Sequence, residues 1–403
     1  MFRIQPDLRF PRFKEPWKKI VLGDISKRPM YGVGASAVEF NNKDVYVRIT
    51  DIEDKSRKLM SRNFTSPSIV NEKYLLKDKD ILFARTGAST GKTYIHENYE
   101  LKYDYYFAGF LIKFEILKSY YPDFIYQYTL TNSYENWVKV MSVRSGQPGI
   151  NSEEYSKLKL NIPRYEEQKK IGDFFSKLDR QIELEEQKLA KLEEQKKGYM
   201  QQIFSRQFLF ENEKGDTDYS WRNFKIKDIF SKIESGNRLP KTNLVEGNIP
   251  YVIAQTTNNG VFMHISEDTL DYHKNKLKLF KKGSITISID NPEAMFIQEI
   301  DFFTSNVMRV IHNENLKRGS HIFIMESLKK LTQSYNWSVK FSGPIIMDST
   351  VKFPVYNDNK VNWNVVNKIG DFFNTFEIRI NRQSDKIKLL EERKKGLLQK
   401  MFV

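Results

Sequence analysis

The chain has 403 residues, 40% of them hydrophobic and 14% aromatic, enough for two or three domains with real cores. It holds no cysteine, which excludes a disulfide framework, a thiolate metal site and a cysteine nucleophile. Net charge is +14, a balance that favours a polyanionic partner, most often nucleic acid.

The residues up to Trp17 scatter charge with no apolar run and do not read as a secretory leader. No stretch reaches the ~18 apolar residues of a membrane span, so a cytoplasmic protein with no membrane partner is expected. A mixed domain is expected over residues 1–163. Its strand-like runs are 44–51, 80–84 and 107–114, and residues 121–141 carry the apolar stripe of a helix. Residues 164–205 form a helical spacer, 206–361 a second mixed domain and 362–403 a second spacer. In the second domain the runs 249–253, 284–288 and 307–311 read as strands and 321–335 as a helix. The fold class is α+β: two tandem α/β domains separated by two long helices.

An internal repeat organises the chain. Residues 171–204 align with 369–402 without a gap at an offset of 198: Ile171 with Ile369, Gly198 with Gly396, Phe204 with Phe402. The starts of the halves match at an offset of 204, Trp17 with Trp221 and Asp24 with Asp228. Between these anchors the halves diverge. A duplication constant in its helices and divergent in its domains suits one pseudo-two-fold frame carrying two different readers.

Each helical segment carries a heptad seam. The first runs Ile171, Phe175, Leu178, Ile182, Leu189, Leu192; the second runs Ile369, Phe373, Phe376, Ile380, Ile387, Leu390. Polar residues interrupt both at matching places, Glu185 with Gln383 and Lys196 with Lys394. Neither segment contains proline, so each extends roughly 50 Å at 1.5 Å per residue. The simplest partner for each seam is the other, and the intervening domain lets the second helix return as an antiparallel coiled-coil partner. The polar interruptions either fix the register of that pair or mark solvated seam ends. Net charge is −1 over residues 165–204 and +4 over 368–403, which leaves +11 in the domains. The helices thus read as a spacer, and the domains face the polyanion.

Polar residues around the domain turns are the candidate DNA contacts. The first domain offers Lys27, Arg28, Tyr31, Arg48, Arg57, Lys58, Arg62, Arg85, Ser89, Thr90, Lys92, Arg144 and Gln147. The second offers Asn237, Arg238, Lys241, Gln255, Asn258, Asn259, Lys274, Lys281, Lys282 and Asn291. Arginine matches guanine in the major groove, and Asn or Gln matches adenine; lysine mainly holds phosphates.

Two stretches come near to catalytic motifs. Residues 87–93, Gly-Ala-Ser-Thr-Gly-Lys-Thr, enclose three residues between their glycines, where a P-loop needs four and must open a helix. A strand is expected to follow instead, so the stretch reads as a turn near the DNA backbone, with Ser89, Thr90 and Lys92 on phosphate. Asn291-Pro292-Glu293 lacks the second proline and the aromatic of an amino-methyltransferase motif and reads as a turn. The five histidines show no metal-ligand spacing. A non-catalytic chain with no metal and no cofactor of its own is expected.

Several stretches, in their order, resemble the specificity subunits of type I restriction-modification systems. They are Pro-Asp-Leu-Arg-Phe at 6–10 with Trp17, Tyr-Val-Arg-Ile-Thr-Asp-Ile at 46–52, and Asp-Ile-Leu-Phe-Ala-Arg-Thr-Gly at 80–87. Ser-Gly-Gln-Pro-Gly-Ile-Asn at 145–151, Asn-Ile-Pro at 161–163, and residues 167–175 with their echo from Ile369 complete the set. Departures are Lys79, where the family has glycine (kept as Gly283), and Val-Asn-Trp-Asn at 361–364. The opening of the second domain, 235–241, with 258–260, resembles a different recognition-domain subtype. The resemblance implies two target-recognition domains reading an asymmetric, bipartite double-stranded DNA site. It also implies helices that set the half-site spacing and dock two methyltransferase subunits. S-adenosylmethionine would then belong to those subunits, and ATP with magnesium to restriction subunits. The competing reading, a DNA-bridging coiled-coil protein without sequence preference, predicts salt dependence but no selected sequence; two divergent domains argue against it.

Overall fold

The computed structural model describes residues 5–60, 63–98 and 103–403. The chain forms two compact units: one runs up to Gln187 and includes Ser384–Val403, and the other is Lys188–Gln383.

In the first unit an antiparallel ribbon, Lys18–Val21 against Lys159–Ile162, brings the two ends of the domain together. Its central sheet has four strands in the order Met30–Tyr31, Leu111–Phe114, Ile81–Ala84, Thr93–Ile95, all antiparallel. The apolar run at 81–84 is buried on both faces, and the pleat sends alternate residues to opposite sides. Ile81 and Phe83 join the core with Trp17, Phe124, Tyr155, Ile171 and Phe175. Leu82 and Ala84 join Val45, Val47 and Phe107 under an outer lobe. In that lobe Asp44–Val47 pairs in parallel with Asp104–Phe107, and Ala37–Glu39 pairs with Thr65–Pro67.

Three expected elements are corrected. The run 44–51 is strand only over Asp44–Val47, and Ile49–Asp51 winds into a single 3-10 turn. The run 107–114 is not one strand: Asp104–Phe107 ends there, residues 108–110 turn, and Leu111–Phe114 begins. The Leu111 N–H donates to the Ala108 carbonyl at 2.8 Å and closes that turn. The helix expected over 121–141 is two helices, α1 (Pro122–Tyr128) and α2 (Asn132–Met141). Hydroxyls of Thr129 and Thr131 turn back onto the carbonyls of Tyr126 and Tyr128, and the Thr131 side chain caps α2 by accepting from the Tyr134 N–H. A short α3 (Ser152–Ser156) follows.

The second unit repeats the plan. Its ribbon is Ser220–Lys225 against Thr350–Val355. Its sheet has the same order: Glu234–Ser235, Met308–Ile311, Ile285–Ser288, Met295–Ile297. The outer lobe differs, with Val261–Ile265, Glu246–Val252 and Phe303–Thr304 in one three-stranded sheet broken by bulges. Two helices complete the domain, α5 (Arg318–Thr332) and α6 (Gly343–Asp348).

The long helices are α4 (Tyr165–Phe204) and α7 (Trp363–Met401), each starting nearly two turns before the repeat becomes visible in sequence. They run antiparallel in both units. In the first, Lys394 pairs with Asp179 at 2.5 Å and Lys386 with Glu185 at 2.9 Å. In the second, Lys196 pairs with Glu377, and the Tyr199 ring meets those of Phe372 and Phe376. Ile171, Phe175, Leu178, Ile369, Phe373, Phe376, Ile387 and Leu390 are buried. Ile182, Leu189, Leu192 and Ile380 are half-buried. Of the polar interruptions, Glu185, Lys196 and Lys394 are therefore ion-paired, with Glu185 and Lys196 inside the helix pairs.

The end of each long helix enters a domain core. Phe402 lies 5.0 Å from Phe124 and 6.0 Å from Phe175 in ring-centroid distance; Phe204 stacks on Phe323 at 5.9 Å beside Trp221. The start of each helix approaches a domain helix at a glycine. A Cβ on Gly172 would press on the Tyr121 ring, and one on Gly370 would collide with the Gly319 carbonyl.

Candidate nucleic-acid interface

A cation can read a base edge or hold a phosphate only through donors that the protein has not already satisfied. By that test the candidates of the first domain divide.

Four cations are committed within the chain. Arg48 makes a two-point contact with Asp51, Nε to Oδ2 at 2.9 Å and Nη2 to Oδ1 at 2.8 Å, and Asp51 raises its pKa against the opposing effect of burial. Arg144 binds both oxygens of Glu154 at 2.6 Å. Lys27 pairs with Glu115 at 2.5 Å. Lys58 pairs with Glu183 of α4 at 2.6 Å and, with Arg57, lines a cleft of about 690 Å³ against that helix. Arg28 is exposed, and Arg62 lies outside the described residues.

Lys92 is a correction. Its side chain is buried, donates to the Ile49 carbonyl at 3.4 Å and to the Ile52 carbonyl, and pairs with Asp54 at 2.7 Å. The glycines beside it explain the inward turn. Gly87 and Gly91 both have positive φ, 75° and 89°, and the chain leaves the turn as the strand Thr93–Ile95, with no helix to present amides to phosphate. The Thr90 hydroxyl closes the turn on the Gly87 carbonyl at 2.7 Å. Ser89 and Thr90 stay partly accessible.

What remains forms one cluster at an end of the central sheet. Arg85 follows Ile81–Ala84, Tyr31 ends Met30–Tyr31, and Phe110 precedes Leu111–Phe114. The Arg85 guanidinium carbon lies over the Tyr31 ring at 5.1 Å and the Phe110 ring at 5.8 Å. Tyr31 is fixed in turn, its hydroxyl accepting from the Ser152 N–H at 3.1 Å. Arg85 Nε is buried with no hydrogen-bond partner among the described residues. Gln147 lies against Gly87 next to it. Phe110, 58% exposed, was missed in the sequence because it sits inside an apolar run that reads as strand interior.

In the second domain most amides are structural. Asn237 donates to Asp271 Oδ2 at 2.9 Å and accepts from the Lys278 N–H at 3.1 Å. Asp271 is held below the usual carboxylate range, first by the Asn275 N–H and then by Asn237. Gln255 donates to the Val261 carbonyl at 2.8 Å. Asn258 and Asn259 each adopt φ near 50° in a tight turn, and Lys274 adopts 63° in another. The Asn291 side chain accepts from the Glu293 N–H at 3.1 Å, so this motif is a hairpin turn. Lys241, Lys281 and Lys282 are exposed; Lys281 lies 3.4 Å from Asp301.

Arg238 stands apart. Its guanidinium lies 4.9 Å from the centroid of Tyr272, a ring 56% exposed, and the Tyr272 N–H donates to the Arg238 carbonyl at 2.9 Å. Arg238 follows Glu234–Ser235, which holds the place in its sheet that Met30–Tyr31 holds in the other. Among the described residues neither Arg85 nor Arg238 is paired with a carboxylate, unlike Arg9, Arg48, Arg144 and Arg318. The described residues also contain no group of three His, Asp or Glu placed to hold a metal, and no helix among them is long and apolar enough to cross a membrane.

Comparison with known proteins agrees with this two-domain layout. The sequence model of the type I restriction modification DNA specificity domain matches residues 14–194 and again 219–387. The specificity subunit S.BcgI of a type II restriction enzyme from Heyndrickxia coagulans is 27% identical over 144 residues, 35% of this chain and 40% of that protein. The match thus spans less than half of that relative's length. The specificity subunit of the type I restriction enzyme MjaVIII from Methanocaldococcus jannaschii is 22% identical over 300 residues, 72% of this chain and 67% of that one. The crystal structure of a type I restriction-modification S subunit from M. genitalium shares the fold, with a TM-score of 0.65 at 14% identity over 99% of both chains. With the family's domain matched once in each half, the chain belongs to the type I restriction-modification DNA specificity family.

Proposed function

We propose that this chain is the DNA-reading subunit of a type I restriction-modification complex and that each of its domains reads one half of an asymmetric, bipartite duplex target. The observation that carries this is the pairing of one scaffold with two sets of loops. Both domains have the same four-stranded order, yet the outer lobes pair their strands differently and the turns beyond the sheets carry different residues. Two unlike readers on one scaffold suit a target with two unlike halves; a sequence-blind DNA bridge gains nothing from the difference.

The long helices serve as the frame and as the docking surface for two methyltransferase subunits. The docking role is supported by the family to which the chain belongs. Adenine methylation, with its S-adenosylmethionine, belongs to those partners, and ATP with magnesium to restriction subunits. This chain contributes recognition alone and works in the cytoplasm, where the DNA is.

The test is co-expression with a type I methyltransferase subunit from the same genome, followed by single-molecule mapping of methylated adenines in the host DNA. The expected result is one split, asymmetric motif with a fixed unspecified gap. A complex that forms but adds no methylation, or methylates without a motif, rejects the reading in favour of a DNA bridge.

A further inference from the structure

Arg85 and Arg238, like Arg12 over the Phe13 ring at 4.7 Å before the first domain's ribbon, are held by rings, unlike the carboxylate-paired arginines described above. Arg48 and Arg144 are fixed through their N–H edges, which consumes the donors a base would need. Arg85 is fixed through contact with ring faces, those of Tyr31 and Phe110. Arg238 is fixed in the same way by Tyr272. A ring holds a guanidinium by its face, and the in-plane donors are left for another acceptor. In Arg85 the Nε–H is itself buried, which leaves the Nη groups as the donors open to another acceptor.

The ligand chemistry follows from shape. A planar fork of N–H donors held in one orientation matches two adjacent in-plane acceptors. In duplex DNA that pair is O6 and N7 of guanine on the major-groove edge. A phosphate would serve a mobile lysine as well and would not need the rings. The placement supports the same conclusion. Arg85 and Tyr31 lie at strand ends of one central sheet, and Arg238 lies just past the equivalent strand of the other. Arg85 follows the third strand in its sheet and Arg238 the first in its own, so the two are not the same scaffold position; each domain nevertheless sets an arginine against an exposed aromatic just past a strand end.

We infer that Arg85 and Arg238 are the guanine-reading residues of the two domains, that each half-site contains a contacted G·C pair, and that Tyr31, Phe110 and Tyr272 are positioning residues which orient the guanidinium planes. This rests on the reading that the domains bind duplex DNA.

The experiment uses the full chain in complex with its methyltransferase subunit and the target found by methylation mapping. Every guanine of one half-site, on both strands, is replaced by 7-deazaguanine, which lacks the N7 acceptor, and affinity is measured by competition. Because the protein is wild type, folding is not in question. The expected loss is roughly ten-fold for each half-site. Arg85→Ala should bind guanine and 7-deazaguanine alike in one half-site while keeping the full loss in the other, and Arg238→Ala should show the reverse. A half-site without any G·C pair, or a wild-type complex indifferent to 7-deazaguanine, overturns the inference while the bipartite reading stands. Absence of a split motif rejects the bipartite reading itself, and this inference with it.

Discussion

Lys196 and Lys394 occupy the same position in the two copies of the repeat, and the two units hold them differently. In the second unit Lys196 meets two carboxylates, Glu377 and, at 2.9 Å, Glu326 of α5, whose side chain is 2% exposed. In the first, Lys394 meets Asp179 at 2.5 Å, and the other oxygen of Asp179 accepts from the Gln127 amide at 2.8 Å. Gln127 stands where Glu326 stands. Each lies three residues after a phenylalanine packed on the domain's tryptophan, Phe124 on Trp17 and Phe323 on Trp221. Burial draws the Lys196 pKa down, but Glu326 and Glu377 outweigh it, so the ammonium stays charged. The position conserved within the chain is the helix cation. Whether it must neutralise a buried domain carboxylate or only its partner helix's acid depends on one domain residue, an acid in one unit and its amide in the other.

The comparison predicts unequal costs. Lys196→Ala leaves Glu326 buried without its principal partner and should destabilise the second unit by about 3–5 kcal/mol. Lys394→Ala removes a part-buried pair, but Asp179 stays 27% exposed and keeps the Gln127 amide, so the cost should be smaller, about 1–3 kcal/mol. Urea unfolding of the full chain and the two variants measures both. Equal losses would break the distinction, and adding Glu326→Gln to Lys196→Ala should recover part of the larger loss.

The glycines at the helix starts give a smaller contrast of the same kind. At Gly370 a methyl group meets a backbone carbonyl, that of Gly319, which can move only if α5 moves. At Gly172 the nearest atoms belong to the Tyr121 ring, with the Phe124 N at 3.0 Å. Overpacking costs about 1–3 kcal/mol, so Gly370→Ala should fall at about 3 kcal/mol and Gly172→Ala at about 1 kcal/mol. Midpoints of thermal unfolding rank them, and a reversed order would mean that α1, not α5, is the less yielding partner.

The frame was far more legible in the sequence than the interface, and the reason is the range of the interactions. The seam from Ile171 and its echo from Ile369 repeat every three or four residues, so their burial is a local pattern. Runs such as 81–84, 285–288 and 308–311 are apolar enough to be strands wherever they fall. The turn at 108–110 was hidden because apolar strands flank it on both sides. The break after Tyr128 was hidden because it depends on threonine hydroxyls bonding backwards within one turn. The fate of a candidate cation depends on partners that the chain brings from afar: Lys58 finds Glu183, and Lys92 finds carbonyls about 40 residues upstream. Composition marks such residues as basic, and only the fold shows which are already committed.

One further pair of groups separates the units by pH. His96 in the first and His321 in the second are each pushed down to about 4, in both cases chiefly by burial. His96 shares a hydrogen bond with the Tyr94 hydroxyl at 3.0 Å, and its Nε2 is buried without a partner among the described residues. His321 Nε2 accepts from the Asn313 N–H at 3.3 Å, with the His312 ring stacked alongside. An unfolded histidine titrates near 6.5. Between pH 6.5 and 4 the unfolded chain therefore binds protons that the folded one refuses, and stability falls as pH falls across that window, levelling off below it. At pH 5 the loss is about 2 kcal/mol for each histidine. His96→Gln should flatten this acid loss in the first unit alone, and His321→Gln in the second alone. Urea titrations at pH 7 and pH 5, followed by hydrogen exchange resolved to each unit, measure the effect. If either substitution flattens the loss in both units, they unfold as one cooperative body, and the two-unit comparison drawn from Lys196 and Lys394 would have to be read as a property of the whole chain.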